Sequence, residues 1–189
     1  MVYRIILVCE EADNFRREIK INTSDTFADL HGAIMDCCGY SNKEMSSFVM
    51  CDEDWRKGVE ITPIPMKGES DSDEYIMDET HLDELIEEEG QQMLFVFDMM
   101  SERSFFMKVV EIIPRESLDK PVCVFLQGEA PKQLSSFELD AMQVTTVAKG
   151  SSASSVYDLN DDSLYGEDGY NEDELINFDE ITADVDDLL

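Results

Sequence analysis

Positive charge is what this chain has least of. Its 189 residues carry 14 Lys and Arg against 44 Asp and Glu, a formal net charge of −30. Binding to DNA or RNA depends on Lys and Arg displacing counterions from a polyanion. Direct nucleic-acid binding is therefore disfavoured, and so is attachment to an anionic membrane surface. The shortage is uneven. Every Lys and Arg lies before residue 151, while 13 acids lie after residue 150, so the first part carries −17 and the last −13. Cations or a protein partner with a basic surface are favoured instead.

Other scarcities narrow the field. The five cysteines, Cys9, Cys37, Cys38, Cys51 and Cys123, are odd in number and hold no CxxC spacing. That argues against a disulfide framework and a zinc knuckle, and it suits buried thiols in a reducing cytosol. There is no P-loop, GxGxxG or GxSxG, so no motif requires a nucleotide or other cofactor. No apolar run approaches the roughly 18 residues of a membrane helix. Ile5 to Cys9 is too short for a signal peptide, and Glu10 and Glu11 follow at once. The expectation is a soluble cytoplasmic protein.

What is present points to an α+β fold with a mixed sheet. Val2 to Cys9 alternates, with Tyr3, Ile5, Leu7 and Cys9 on one face. Phe15 to Asn22 alternates too, and Glu10 to Asn14 has hairpin length. Thr26 then caps a helix, with Asp29 three residues on as its capping-box partner. Phe27, Leu30, Ile34 and Cys37 form its apolar stripe, and Gly39 stops it. This is a ββα opening.

Ser47 to Asp52 and Val59 to Thr62 read as short strands around a charged turn holding Trp55, the one tryptophan. Pro63 to Glu79 reads as a loop. Thr80 and Asp83 suggest a second capped helix with Leu82, Leu85 and Ile86 inward, ended by Gly90. Glu87, Glu88 and Glu89 crowd the negative end of that helix, which is locally unfavourable. Met93 to Asp98 and Phe105 to Ile113 read as strands, and the apolar run Val122 to Leu126 reads as a buried one. The domain is expected to span 1–145. Residues 146–189 are expected to be a Ser-rich linker and an acidic tail, mostly disordered.

Two resemblances follow from these stretches. The ββα opening resembles the β-grasp of ubiquitin-like proteins, without a terminal Gly-Gly. Thr26-Phe27-Ala28-Asp29-Leu30-His31, Leu94-Phe95-Val96-Phe97-Asp98, and Val122-Cys123 followed by Gly128-Glu129-Ala130-Pro131 together resemble the plasmid pRiA-type ORF-three-like family. That family is also labelled insertion-sequence passenger TnpR-like. The resemblance implies an α+β domain of no established activity in a mobile-element setting. The chain departs from it after Asp98, where the family's Gly-Asp, Trp and His give way to Met99-Met100-Ser101-Glu102-Arg103.

Candidate sites follow from residue type. His31 and Asp98 could serve as base and acid, or as ligands, of a small hydrolase or metal enzyme. Asp158, Asn160 and Asp162 place oxygens at alternate positions of a calcium-type loop, but Ser163 and Gly169 occupy its glycine and glutamate positions. Leu175, Phe178, Val185 and Leu188 fall near helical spacing between acids, the pattern of a segment that folds on a partner's groove. A non-catalytic interaction module with a basic partner is the favoured reading. The small enzyme and an acidic mimic of nucleic acid are the alternatives.

Overall fold

A computed structural model describes residues 1–65 and 75–134. The chain divides into two units, Met1–Met142 and Gln143–Leu189, and all described residues belong to the first. The linker, the acidic tail and the boundary expected near residue 145 lie outside the described residues. So do Asp158, Asn160, Asp162, Leu175, Phe178, Val185 and Leu188.

The fold is α+β. In chain order it runs β1 (Val2–Val8), β2 (Arg16–Asn22), α1 (Phe27–Cys38), β3 (Ser47–Cys51), β4 (Lys57–Thr62), β5 (Tyr75–Ile76), α2 (Leu82–Leu85), β6 (Gln92–Asp98), β7 (Arg103–Ile113) and β8 (Val122–Gln127). The eight strands form one sheet in the order β5-β4-β3-β6-β7-β1-β2-β8. β4 and β5 pair in parallel, and the other pairs are antiparallel.

The helix α1 forms where its local signals place it. Thr26 Oγ1 accepts the Asp29 N–H at 3.2 Å, and the Asp29 carboxylate accepts the Thr26 N–H at 2.9 Å. Two free first-turn donors are satisfied at once. Gly39 closes the helix at φ 69°, with its N–H on the Met35 carbonyl. Phe27, Leu30 and Ile34 are fully buried and share one core with Tyr3, Ile5 and Leu7. Aromatic rings continue that core across the sheet. Phe48 meets Phe27 at 5.3 Å and Phe95 at 4.8 Å, and Phe105 meets Phe97 at 4.6 Å and Phe15 at 4.9 Å. Tyr3 donates to the Ile86 carbonyl at 2.8 Å, tying β1 to the end of α2.

Several expectations are corrected. Val122 to Leu126 is a strand, but it is the sheet's edge rather than its interior, and Leu126 is 60% exposed. Even so, β8 is held closely at its end. Gly128 adopts φ 65°, and a Cβ there would stand 2.7 Å from the Asn14 carbonyl oxygen. Only glycine lets the chain pass the β1–β2 turn so closely.

The second helix begins one residue later than expected and spans only Leu82–Leu85, with Ile86 as its C-cap, so it ends before Glu87, Glu88 and Glu89 rather than at Gly90. Its N-cap is His81, whose N–H is taken by Glu84 at 2.9 Å, while Thr80 is buried and donates its own N–H to Ile76. The stretch read as a loop contains β5, which pairs with β4 through Ile61 and Thr62. On β1 the opposite face is buried as well, at Val2, Ile6 and Val8. A central strand between β7 and β2 is covered on both sides.

Candidate functional site

His31 lies on α1, facing the start of β3. Its Nε2 is 3.0 Å from Ser46 Oγ, and its ring stands 5.7 Å from Phe95. Ser46 itself is buried. Burial pushes the His31 pKa below its usual value, so the ring is neutral at physiological pH. The pair resembles a nucleophile and its base, but among the described residues no carboxylate hydrogen-bonds the ring to orient it.

Asp98 ends β6 and is 4% exposed. Its carboxylate accepts the N–H groups of Met100 and Ser101, both at 3.1 Å, and meets Arg103 Nη1 at 3.4 Å. It therefore builds the β6–β7 turn. Arg103 in turn grips Glu11 through Nε and Nη2, at 2.9 and 2.6 Å, and reaches the Gln133 carbonyl at 3.4 Å. Its guanidinium also lies 4.9 Å from the centre of the Phe97 ring. Hydrogen bonding to Glu11 raises the Arg103 pKa, against the opposing effect of burial. The hydrogen bonds of His31 and Asp98 thus go to different partners, and none joins the two.

Beside Asp98 a cavity of about 240 Å³ opens, lined by Glu44, Met45, Phe97, Met99, Met100 and Leu134 along with Asp98 itself. Its walls are tied together. Gln133 accepts the Ser41 N–H at 2.7 Å and donates to the Ser41 carbonyl at 2.8 Å. The Tyr40 hydroxyl donates to the Pro131 carbonyl at 2.6 Å, and burial pushes its pKa up.

Arg17, on β2, is almost wholly buried. It donates to the carbonyls of Cys37, Arg16, Gln127 and Gly128, and its guanidinium lies 4.5 Å from the centre of the Phe15 ring. This group is therefore unavailable to a surface ligand, although the sequence sets it beside Arg16 and Lys20 as a basic patch. Arg16 pairs with Glu18 at 2.6 Å and Lys20 with Glu116 at 3.3 Å.

Of the five thiols expected to be buried only Cys51 is; Cys9, Cys37, Cys38 and Cys123 are half-buried. Cys37 Sγ lies 3.9 Å from Cys38 Sγ. Hydrogen bonding to Cys38 and then burial push the Cys37 pKa up, and burial pushes that of Cys123 up to about 11. Thiols are the weak form of this nucleophile. Among the described residues no three His, Cys, Asp or Glu side chains gather as metal ligands. Ser46 and Arg103 escaped the sequence reading, and Arg17 is a buried carbonyl-binding group rather than part of a surface patch. Their roles rest largely on partners distant in the chain, such as Glu11 and Gln133 for Arg103 and Gln127 and Gly128 for Arg17.

The sequence pattern of the plasmid pRiA4b ORF-3-like protein family matches residues 2–134. The chain belongs to that family. The match ends where the described residues end, so it covers all of the sheet and both helices. No curated protein matches the chain. Among solved structures, a protein of unknown function from Methanosarcina mazei Go1, MM3350, is similar at 19% identity with a TM-score of 0.58. The likeness covers 79% of this chain and 82% of that one, and at that identity it speaks for the fold alone. Among the described residues no helix is long and apolar enough to cross a membrane.

Proposed function

We propose that this member of the family is a non-catalytic interaction module whose partner presents a basic surface. One observation carries the reading. Around α2, Asp78, Glu79, Asp83, Glu84, Glu87, Glu88 and Glu89 are all exposed, with no Lys or Arg between them. None of the seven forms an ion pair with a described Lys or Arg. Glu84 and Glu89 accept the N–H groups of His81 and Ile112, but like charges this close still repel one another, and an incoming cation relieves the repulsion.

The polar groups that chemistry could use are meanwhile engaged in the fold: Asp98 in a turn, Arg103 on Glu11, His31 on Ser46. The 13 acids after residue 150 add to the chain's net negative charge. Leu175, Phe178, Val185 and Leu188 are the residues proposed to meet an apolar groove on the partner.

A Lys- and Arg-rich peptide titrated against the full chain tests this. It should bind at low salt and weaken steeply as salt rises. Truncation at Gly150 should leave the melting temperature nearly unchanged and weaken the salt-sensitive binding without abolishing it, because the acids around α2 remain. Binding that ignores salt, or none at all, rejects the reading.

A further inference from the structure

We propose that the cavity beside Asp98 takes one large apolar side chain of a basic partner segment. The proposal rests on the interaction reading above and gives it an anchor point. Hairpin turns are ordinarily built of Gly, Asn, Asp, Ser and Pro. Here the β6–β7 turn carries Met99 and Met100, and Met100 is 85% exposed. Across the cavity Met45 is 44% exposed. Two large apolar side chains held in solvent around one opening are an unusual use of sequence.

The opening is held in shape before anything enters it. The buried Asp98 carboxylate fixes the turn from below, Arg103 links that turn to Gln133, and Gln133 is paired twice with Ser41. Three separate chain segments are thereby locked around the space, which lowers the ordering cost of binding. Methionine supplies the adaptable part, since its unbranched thioether repacks around differently shaped guests.

Size and charge choose the guest. At about 240 Å³ the cavity is smaller than the roughly 300 Å³ at which whole small-molecule sites begin. It suits a single Leu, Met, Phe or Trp side chain. Of its two carboxylates, Asp98 is turned inward to Arg103, leaving Glu44 on the rim. Lys43 and Lys132 lie on the neighbouring segments, so the rim itself is mixed. The pull on a cationic segment therefore comes from the field of the whole chain at −30. The same field repels a second copy. The occupant is an apolar residue flanked by Lys or Arg on a different protein.

The test uses the full chain and two fluorescently labelled Lys-rich peptides, identical except for a central Trp or Ala. Anisotropy titrations should show the Trp peptide binding on the order of tenfold more tightly. In the double variant Met45→Ser and Met100→Ser, net charge is unchanged and both sites are exposed, so the fold should persist. That variant should lose the Trp advantage while keeping the salt-sensitive binding of the Ala peptide. Equal affinity for both peptides would overturn the anchor and leave the interaction reading standing. A Trp advantage that survives the double variant would place the anchor elsewhere and overturn it too. Failure of both peptides to bind would overturn both readings. A change in oligomeric state with the Met substitutions would make a second copy the occupant, against the proposal.

Discussion

Replacing Arg17 by Met tests how the sheet edge is held. The guanidinium is 5% exposed as a residue and makes four donations to carbonyl oxygens, with no carboxylate in an ion pair with it among the described residues. One acceptor is Cys37, in the last turn of α1, where no basic side chain of the helix itself stands. The charge is thus stabilised by carbonyl dipoles, one of them at the negative end of the helix. Two others, Gln127 and Gly128, belong to β8 and the residue after it. Each hydrogen bond from a charged donor contributes about 1.5–3 kcal/mol. The four share one group, so their losses do not add, and water at the sheet margin will reach some of the freed carbonyls. The expected cost is about 3–5 kcal/mol, roughly that of two such bonds. With a urea m-value of about 2 kcal/mol/M, the unfolding midpoint followed by Trp55 fluorescence should fall by roughly 1.5–2.5 M at constant m. Arg17→Lys should recover less than half of that, because an ammonium cannot span the four acceptors. A midpoint for Arg17→Met within about 0.3 M of the parent would refute the argument.

Two further perturbations address the core and the histidine. Leu30→Ala removes a fully buried side chain from the face of α1 that meets the sheet. It should cost about 2–5 kcal/mol, whereas the exposed Asp36→Ala should stay within about 0.5 kcal/mol. Melting curves that coincide for the two would misplace the helix. Burial lowers the His31 pKa from its usual 6.5, so the unfolded chain binds that proton more readily than the folded one. The stability that neutral His31 contributes is complete above the unfolded pKa and is lost as pH falls below it. Between about pH 7.5 and pH 5 the parent should therefore lose more melting temperature than His31→Gln. Parallel pH profiles would show that the ring is not buried as its contacts with Ser46 and Phe95 indicate.

What could be read from the sequence was what is local. The cap at Thr26, its Asp29 partner and the stop at Gly39 all act within one turn of their own residues, so α1 was legible to its ends. The alternation of Tyr3, Ile5 and Leu7 correctly marked the face that meets α1. It could not reveal that Val2, Ile6 and Val8 are buried too, because that depends on β7 and β2 lying on either side. The apolar run of β8 failed for the same reason. Val122 to Leu126 reads alike whether a strand is central or terminal, and its position is set by pairing with β2 about a hundred residues earlier. At the site, Asp98 and His31 have residue types that suit chemistry. Their actual partners, Arg103 with its links to Glu11 and Gln133, and Ser46 on another element, are assembled only by the topology.

The same topology bears on where charge is left over. Among the few cations of the chain, Arg4, Arg16, Lys20 and Arg103 are held in ion pairs within the β7–β1–β2 half of the sheet or at its ends, and Arg17 is spent on carbonyls. Arg56 and Lys57 pair with acids at the turn before β4 and the β6–β7 turn. A cation bound to one acid cannot compensate another at a distance, because screening confines exposed charges to about a Debye length. Among the described residues, the stretch from Asp78 to Glu89 holds seven exposed acids and no Lys or Arg. Leu82 and Ile86 hold that stretch against the core from beneath, so it cannot relax by unfolding without losing buried apolar surface. The repulsion is thus built into a packed element, and its relief from outside the chain is the physical ground of the basic partner proposed above.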